Sequence, residues 1–240
     1  MKIKTNKAFT LIETLIATVI GMIAITAMYF AYQYFNNSYK SIVDRAVLSE
    51  NGRNSLSLIA KDLRNAGYKN QNYQGTWDRD KKIEVKNNSD QGGDRLNIWY
   101  DTDQSTRIKA EYYISKIGDD FNLVKQLYEN GKESYCERYS SSKNCLPINI
   151  VEHVSDFQVV LRDKNGSEIT SVNEANQNNV HTAEIYVTVR STNEIYKTDK
   201  VTRIINNFNS TTGREENLEK DKFHRETFFL SVHLRNLGKI

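Results

Sequence analysis

The acid with the most unusual surroundings in this sequence is Glu13, which lies inside an almost uninterrupted apolar block. The block runs from Phe9 to about Phe35, and its centre, residues 14–32, contains no charged side chain. A charged group at the centre of a membrane-spanning helix costs roughly 2.5–3.5 kcal/mol on insertion scales, and less near the edge. Glu13 is therefore a candidate functional residue that needs a partner.

The two cysteines are the next candidates for chemistry. Cys136 and Cys145 lie in a polar stretch rich in serine and tyrosine. With no second cysteine pair and no histidine close in sequence, the pair does not resemble a metal site. In an oxidising compartment a disulfide is the expected state of two such thiols. We therefore predict a disulfide between Cys136 and Cys145.

The remaining polar residues form no pattern typical of an enzyme. The four histidines show neither HExxH nor HxH spacing, and the sequence has no phosphate-binding glycine loop with a lysine and no Gly-x-Ser-x-Gly motif. Asp101 and Asp103 could contribute to a calcium site, but EF-hand spacing is missing. The sequence favours a protein without catalytic residues, cofactor or metal.

The apolar block that holds Glu13 is long enough to cross a membrane. A spanning helix needs about 20 apolar residues, and a cleaved secretory signal has an apolar region of only about 7–15. Lys2, Lys4 and Lys7 precede the block, and uncharged polar residues follow it. The positive-inside rule then predicts a cytoplasmic N-terminus, with everything after about residue 36 on the other side of the membrane.

Charge and composition exclude other classes of protein. The 240 residues include 33 basic and 30 acidic side chains, and the three lysines of the first eight residues account for the excess. A chain balanced in this way gives no argument for a nucleic-acid partner. With 38% hydrophobic and 26% charged residues, it is also too polar for several membrane spans.

The helical pattern continues beyond the membrane-spanning block. Apolar and small residues recur at three- and four-residue steps from Ile42 to Leu63, with charged residues between them. Ala66 and Gly67 are typical of a helix end, with Gly67 as a left-handed cap. We expect one helix over residues 9–66, apolar in its first half and amphipathic in its second.

The rest of the chain alternates apolar and polar residues with the period of a β-strand. Polar segments at 68–81, 165–179 and 208–222 are expected to be mobile loops, and Asn165-Gly166 indicates a hairpin. Six or so antiparallel strands facing one long helix give an α+β fold: a stem helix packed against an antiparallel β-sheet head. The strand-like segments are residues 94–102, 107–115, 121–128, 156–162, 183–189 and 228–234.

Residues 7–15, KAFTLIETL, resemble the class III signal of type IV prepilins and pseudopilins. The resemblance implies that a prepilin peptidase recognises Lys7, cuts between Ala8 and Phe9, and methylates Phe9. From the position of Glu13 in an apolar setting, where an unpaired charge is costly, we hypothesise that it neutralises the new N-terminal ammonium. If the carboxylate belongs to a neighbouring subunit, the pairing also sets the axial register of assembly. Ala8 departs from the family pattern, in which glycine is commoner.

Two further segments resemble PilW-type minor pilins. Residues 49–53 read SENGR and residues 59–68 read IAKDLRNAGY, similar to the family's stem signature, and residues 227–236 are similar to its closing strand. The resemblance implies a type IV pilin-like fold with four parts: a leader (1–8), a membrane and assembly helix (9–35), an amphipathic helix (36–67) and a head (68–240).

The same resemblance implies a function and partners. A minor pilin of this type joins other minor pilins to prime pilus growth, beside the major pilin, an inner-membrane assembly platform and a possible tip adhesin. It resides in the inner membrane with a periplasmic head and then enters the pilus. The alternatives are a J-type pseudopilin of type II secretion, a competence pilus minor pilin for DNA uptake, and a single-pass anchored enzyme or sensor.

Overall fold

The computed structural model describes residues 10–89, 93–118, 120–133, 147–172, 176–196, 198–203 and 218–237. The chain divides into two compact units, residues 1–44 and 45–240. The first unit consists, in its described part, of helix only.

Helix α1 spans Leu11–Asn65, which confirms the long N-terminal helix expected from the sequence. No proline interrupts it, but many of its residues are β-branched, aromatic or short polar residues with only moderate helix preference, so the helix depends largely on its surroundings. Gly67 follows with φ +73°, the left-handed conformation that ends a helix and that residues with a Cβ rarely adopt. In the second unit α1 buries an apolar stripe that includes Leu56, Ile59 and Leu63.

The first sheet is antiparallel, with strands in the order β1-β2-β3-β4-β5, and β6 also pairs with β4. Leu96 pairs with Tyr112 and Ile98 with Ala110, so inward-facing residues of neighbouring strands lie side by side. The strands are β1 (Ile83–Ser89), β2 (Gly93–Asp101), β3 (Arg107–Ile117), β4 (Asp120–Glu129), β5 (Lys132–Glu133) and β6 (Ile148–Val151).

The second sheet has three antiparallel strands, β7 (Val154–Arg162), β8 (Thr182–Glu194) and β11 (Phe223–His233), in the order β11-β8-β7. Strands β9 (Lys200–Arg203) and β10 (Leu218–Asp221) form a separate two-stranded ribbon. The second half of α1 and the inner faces of both larger sheets share one apolar core. This arrangement confirms the predicted α+β class.

The sequence underestimated the number of strands. Its six predicted segments correspond to β2, β3, β4, β7, β8 and β11, but β1, β5, β6, β9 and β10 were missed. β1 (IEVKNNS) and β10 (LEKD) are polar and have little intrinsic strand preference. They are strands because they pair with β2 and β9. The pattern of residues within a single segment does not reveal such pairing.

The hairpin predicted at Asn165-Gly166 forms only as a turn. Gly166 has φ +81°, and the Asp163 N–H donates to the Ser167 carbonyl at 2.9 Å. Beyond it, one isolated bridge joins Arg162 to Glu168, and β8 starts only at Thr182. The turn thus starts a longer connection, within the predicted polar segment 165–179, between β7 and β8, which pair antiparallel.

Candidate functional site

The N-terminus of α1 is closed by a capping box between Thr10 and Glu13. The Thr10 backbone N–H and hydroxyl donate to Glu13 Oε2 at 2.9 and 3.0 Å. In return, the Glu13 N–H donates to Thr10 Oγ1 at 3.3 Å. This reciprocal arrangement satisfies donors that a helix start otherwise leaves unpaired. The residues TLIE thus specify a helix start as well as a charge.

The surface of α1 in the first unit is apolar and exposed. Nearly every residue from Leu11 to Phe35 is exposed, including Leu11 at 82% and Phe30 at 66%. By length and composition α1 can cross a membrane. Uncovered apolar surface of this size is unfavourable in water. The stem therefore requires lipid or other apolar helices around it.

Three threonine hydroxyls within the apolar stem are satisfied by carbonyl groups of the helix itself. Thr14 and Thr18 donate to the carbonyls of Leu11 and Leu15, both at 2.8 Å. Thr26 donates to the carbonyl of Met22 at 2.7 Å. Because a donor left unpaired in hydrocarbon is costly, these local bonds make the threonines compatible with an apolar environment. These bonds were not predicted from the sequence.

The signature at residues 49–53 packs against β11. Gly52 is buried, and a Cβ built on it would overlap the ring of Phe228. Only glycine lets the helix backbone approach this ring so closely. The motif and the closing strand, which the sequence matched to the family separately, meet in the structure.

The second signature, residues 59–68, places a buried acid against the first sheet. Asp62 is 4% exposed, and its Oδ2 atom lies 2.6 Å from both Lys125 Nζ on β4 and Tyr112 Oη on β3. Tyr100 Oη lies 3.5 Å from Asp62 Oδ1. Burial, with the Asp62 charge as a further cause, raises the pKa of both tyrosines, so both hydroxyls keep their protons at neutral pH and donate hydrogen bonds to Asp62.

The segment after α1 is irregular but anchored, which corrects the expectation of a mobile loop at 68–81. The Gly67 N–H donates to the Trp99 carbonyl at 2.8 Å, and the Asp101 N–H donates to the Tyr68 carbonyl at 3.0 Å. Arg107, fully buried, donates to the Lys81 carbonyl at 2.6 Å. The loop is thus attached to the ends of β2 and β3.

Asp101 and Asp103 are already occupied by protein donors, which argues against the calcium site considered from the sequence. Asp101 pairs with Arg107 and accepts the Asn70 N–H at 2.8 Å. Asp103 accepts the N–H groups of Ser105 and Thr106, both at 2.7 Å. Within the described residues, no group of three or more histidine, cysteine or acidic side chains could hold a metal ion.

Several predicted site residues lie outside the described residues. These are Lys7, Ala8 and Phe9 at the expected processing site, and Cys136 and Cys145 of the expected disulfide. Of the predicted sites, the structure therefore describes Glu13 only. It brings Glu13 together with Thr10, and the pairing of Glu13 with an N-terminal amine stays a prediction.

Comparisons with known proteins agree with this geometry. Residues 3–29 match the family model of the prokaryotic N-terminal methylation motif. Among curated proteins, none matches this chain. Among solved structures, the fold is similar to that of a type IV-like pilin from Thermus thermophilus, with a TM-score of 0.51 at 13% identity over 80% of this chain and 99% of the other. The chain thus combines a prokaryotic N-terminal methylation motif with a type IV pilin-like fold.

Proposed function

We propose that this protein is a minor pilin of the PilW type, a non-catalytic subunit that takes part in type IV pilus assembly. The observation that carries the proposal is the exposed apolar stem, whose only charge between residues 10 and 39 is Glu13 at its start. Such a helix is stable in lipid and equally stable among similar helices, so it can pass from one to the other.

The proposed maturation begins at the leader. A prepilin peptidase recognises Lys7, cleaves between Ala8 and Phe9, and methylates the new amine of Phe9. The match of residues 3–29 to the methylation motif supports this step. Removal of the three leader lysines leaves a single ammonium near Glu13, and two opposite charges tolerate an apolar setting better than either does alone.

The proposed location and partners follow from the same features. Before assembly the stem spans the inner membrane once, with the head, residues 68–240, in the periplasm. Afterwards the subunit lies in the pilus, at or near its tip, in contact with other minor pilins and the major pilin. The inner-membrane assembly platform, and a tip adhesin where one exists, complete the set, and the subunit itself needs no nucleic acid.

Mass spectrometry of the mature N-terminus tests the maturation. The expected product lacks residues 1–8 and carries one methyl group on Phe9. A Lys7→Ala variant should slow cleavage, whereas Lys40→Ala, a similar change beyond the apolar block, should not. An intact Met1 in wild-type protein would contradict the proposal and favour a permanently anchored protein.

Deletion of the gene tests the assembly role. A minor pilin that primes pilus growth should, when deleted, strongly reduce the number of surface pili, and a plasmid copy should restore them. Unchanged pili together with lost protein secretion would instead identify a J-type secretion pseudopilin. Unchanged pili with lost DNA uptake would identify a competence subunit.

A further inference from the structure

The apolar contact between α1 and the head does not by itself fix where the helix lies along its own axis. Its buried stripe includes Leu56, Ile59, Ala60 and Leu63, which recur at three- and four-residue steps. A slide of one turn, about 5.4 Å, in one direction would put Leu56 in the place of Ala60 and Ile59 in that of Leu63, with Ser55 in the place of Ile59. In the other direction it would bring the charged Arg64 to the place of Ala60. Burial of apolar surface is non-directional, so it disfavours the second slide clearly and the first only in part.

The buried pair of Asp62 and Lys125 does discriminate between these axial positions of α1. Asp62 Oδ2 lies 2.6 Å from Lys125 Nζ, and both residues are nine-tenths or more buried. After a slide of one turn, Leu58 or Ala66 would face Lys125, and neither side chain can accept a hydrogen bond. Both charges would then remain buried without their partner, a state far less stable than the observed one.

The two tyrosines increase this selectivity. Tyr112 donates to the same oxygen that receives Lys125, and Tyr100 approaches the other oxygen at 3.5 Å. The acceptor on α1 is thus met by donors from three adjacent strands, β2, β3 and β4. The Lys125 ammonium also lies 5.6 Å from the centre of the Tyr112 ring. Since these donors converge on one point, the cluster marks one position along the helix.

We infer that the Asp62–Lys125 pair is a register lock, which sets the axial position of α1 on the first sheet. Gly52 also restricts the helix, because a slide of one turn would bring Leu48 or Leu56 to the place beside Phe228, but this contact is steric and does not match charges. A buried charge has to be matched at one place. This inference gives Asp62, in the DLR part of the signature, a structural role. The role does not depend on whether the chain enters a pilus.

Distance measurements on the full-length chain in detergent test the lock. Spin labels are attached through non-natural ketone side chains at Asn54 on α1 and at Thr102 beyond β2, both exposed, which leaves the two cysteines untouched. The Asp101 N–H donates to the Tyr68 carbonyl, so Thr102 lies near the C-terminal end of α1. The vector between the labels therefore runs largely along the helix, and a slide of one turn changes its length by up to about 5 Å.

The decisive variant replaces the pair with apolar residues, Asp62→Leu with Lys125→Met. An apolar pair of similar volume often preserves or raises the stability of a fold, so this variant should remain folded. We expect the single wild-type distance to split or broaden, with a second population displaced by about 5 Å. In Asp62→Asn, which keeps the shape and loses the charge, the distribution should broaden to a lesser degree.

The matched control is the exposed pair Lys69–Asp80, which is 3.2 Å apart with the Asp80 side chain 79% exposed. Lys69→Met with Asp80→Leu should leave a single wild-type distance. The inference is wrong if the double variant of the buried pair shows a single distance between the labels, with a distribution as narrow as that of the wild-type protein. It is also wrong if the variant fails to fold, or if the control shifts equally.

Discussion

At the scale of single residues, Glu13 combines two roles that the sequence presents as one. Its carboxylate accepts two hydrogen bonds from Thr10, so the charge is partly satisfied at the helix start before any other subunit arrives. A charge solvated in this way costs less at the edge of the bilayer than a bare carboxylate would. The capping box is therefore compatible with both proposed roles of Glu13, residence at the membrane edge and pairing with an ammonium during assembly.

Replacement of Glu13 by glutamine separates these two roles. The amide oxygen of Glu13→Gln can still accept the Thr10 N–H, so we expect normal membrane insertion. Without the charge, incorporation into filaments should fall roughly tenfold, the effect of about 1.4 kcal/mol. Immunoblots of membranes and of sheared filaments measure the two quantities, with Glu226→Gln on the exposed face of β11 as the control. Normal incorporation of Glu13→Gln would refute the assembly role.

Asp221, at the end of β10, forms an ion pair with Arg225, near the start of β11. Asp221 accepts two bonds from Arg225, at 2.7 and 2.6 Å, and these bonds hold the pKa of Asp221 below its ordinary value. A depressed pKa stabilises the fold at pH values above the ordinary value of about 3.9, and the effect is lost as the pH falls below it.

We therefore expect Asp221→Asn to lower the free energy of unfolding by about 1 kcal/mol at pH 7. The difference from wild type should shrink as the pH falls towards 3. Urea titrations of both proteins between pH 3 and pH 7 measure it. Asp163→Asn, in an exposed turn where the acid accepts backbone N–H groups rather than an arginine, serves as a comparison. A pH-independent difference would show that the ion pair is not its cause.

At the scale of elements, the long helix is one continuous secondary structure with two kinds of surface. In the first unit its residues are apolar and exposed, whereas in the second unit one stripe is buried in the head. The surroundings of two glycines of the helix, Gly21 and Gly52, differ in the same way. A Cβ added to Gly21 would have open space around it to at least 4 Å, whereas Gly52 lies directly under Phe228.

Substitution of Gly52 by alanine should destabilise the head by about 1–3 kcal/mol, because the new methyl group overlaps the Phe228 ring. Thermal unfolding followed by near-ultraviolet circular dichroism measures the loss. Gly21→Ala, the same change on the same helix, should leave the midpoint unchanged. A smaller partner, in Gly52→Ala with Phe228→Leu, should recover part of the loss. If the two alanine variants behave alike, the contact with Phe228 is not important.

At the scale of the whole molecule, the chain joins an apolar segment suited to lipid with a second unit, residues 45–240, that contains the apolar core. The head contains antiparallel sheets, and covalent closure of a loop stabilises a fold by restricting the unfolded chain. The predicted bond between Cys136 and Cys145 would provide one closure.

We predict that this disulfide forms in protein purified from the membrane without reductant. In the chain-entropy model, closing a loop of about ten residues contributes roughly 2–3 kcal/mol. Alkylation before and after reduction, followed by mass spectrometry, detects the bond. Cys136→Ser and Cys145→Ser should each lower the unfolding midpoint by the same amount, and the double variant should be no less stable than either. Free thiols in the wild-type protein would contradict the prediction.

The sequence alone determined the features that depend on neighbours along the chain. The apolar run and the spacing of Glu13 predicted the stem, and Gly67 correctly marked the helix end, because a left-handed residue is a local requirement. Alternation with a period of two predicted the six apolar strands, since burial on one face imposes it. The start of α1 was also local: Thr10 and Glu13 have the spacing of a capping box.

Tertiary structure decided the features that depend on residues far apart in the chain. Nothing near Asp62 in sequence indicates that it meets Lys125, and nothing near Gly52 indicates the Phe228 ring. The polar strands β1 and β10 form because paired strands supply their hydrogen bonds. Secondary-structure preference is a property of one segment of the chain. A buried ion pair or a close backbone approach requires two segments, which only the tertiary fold brings together.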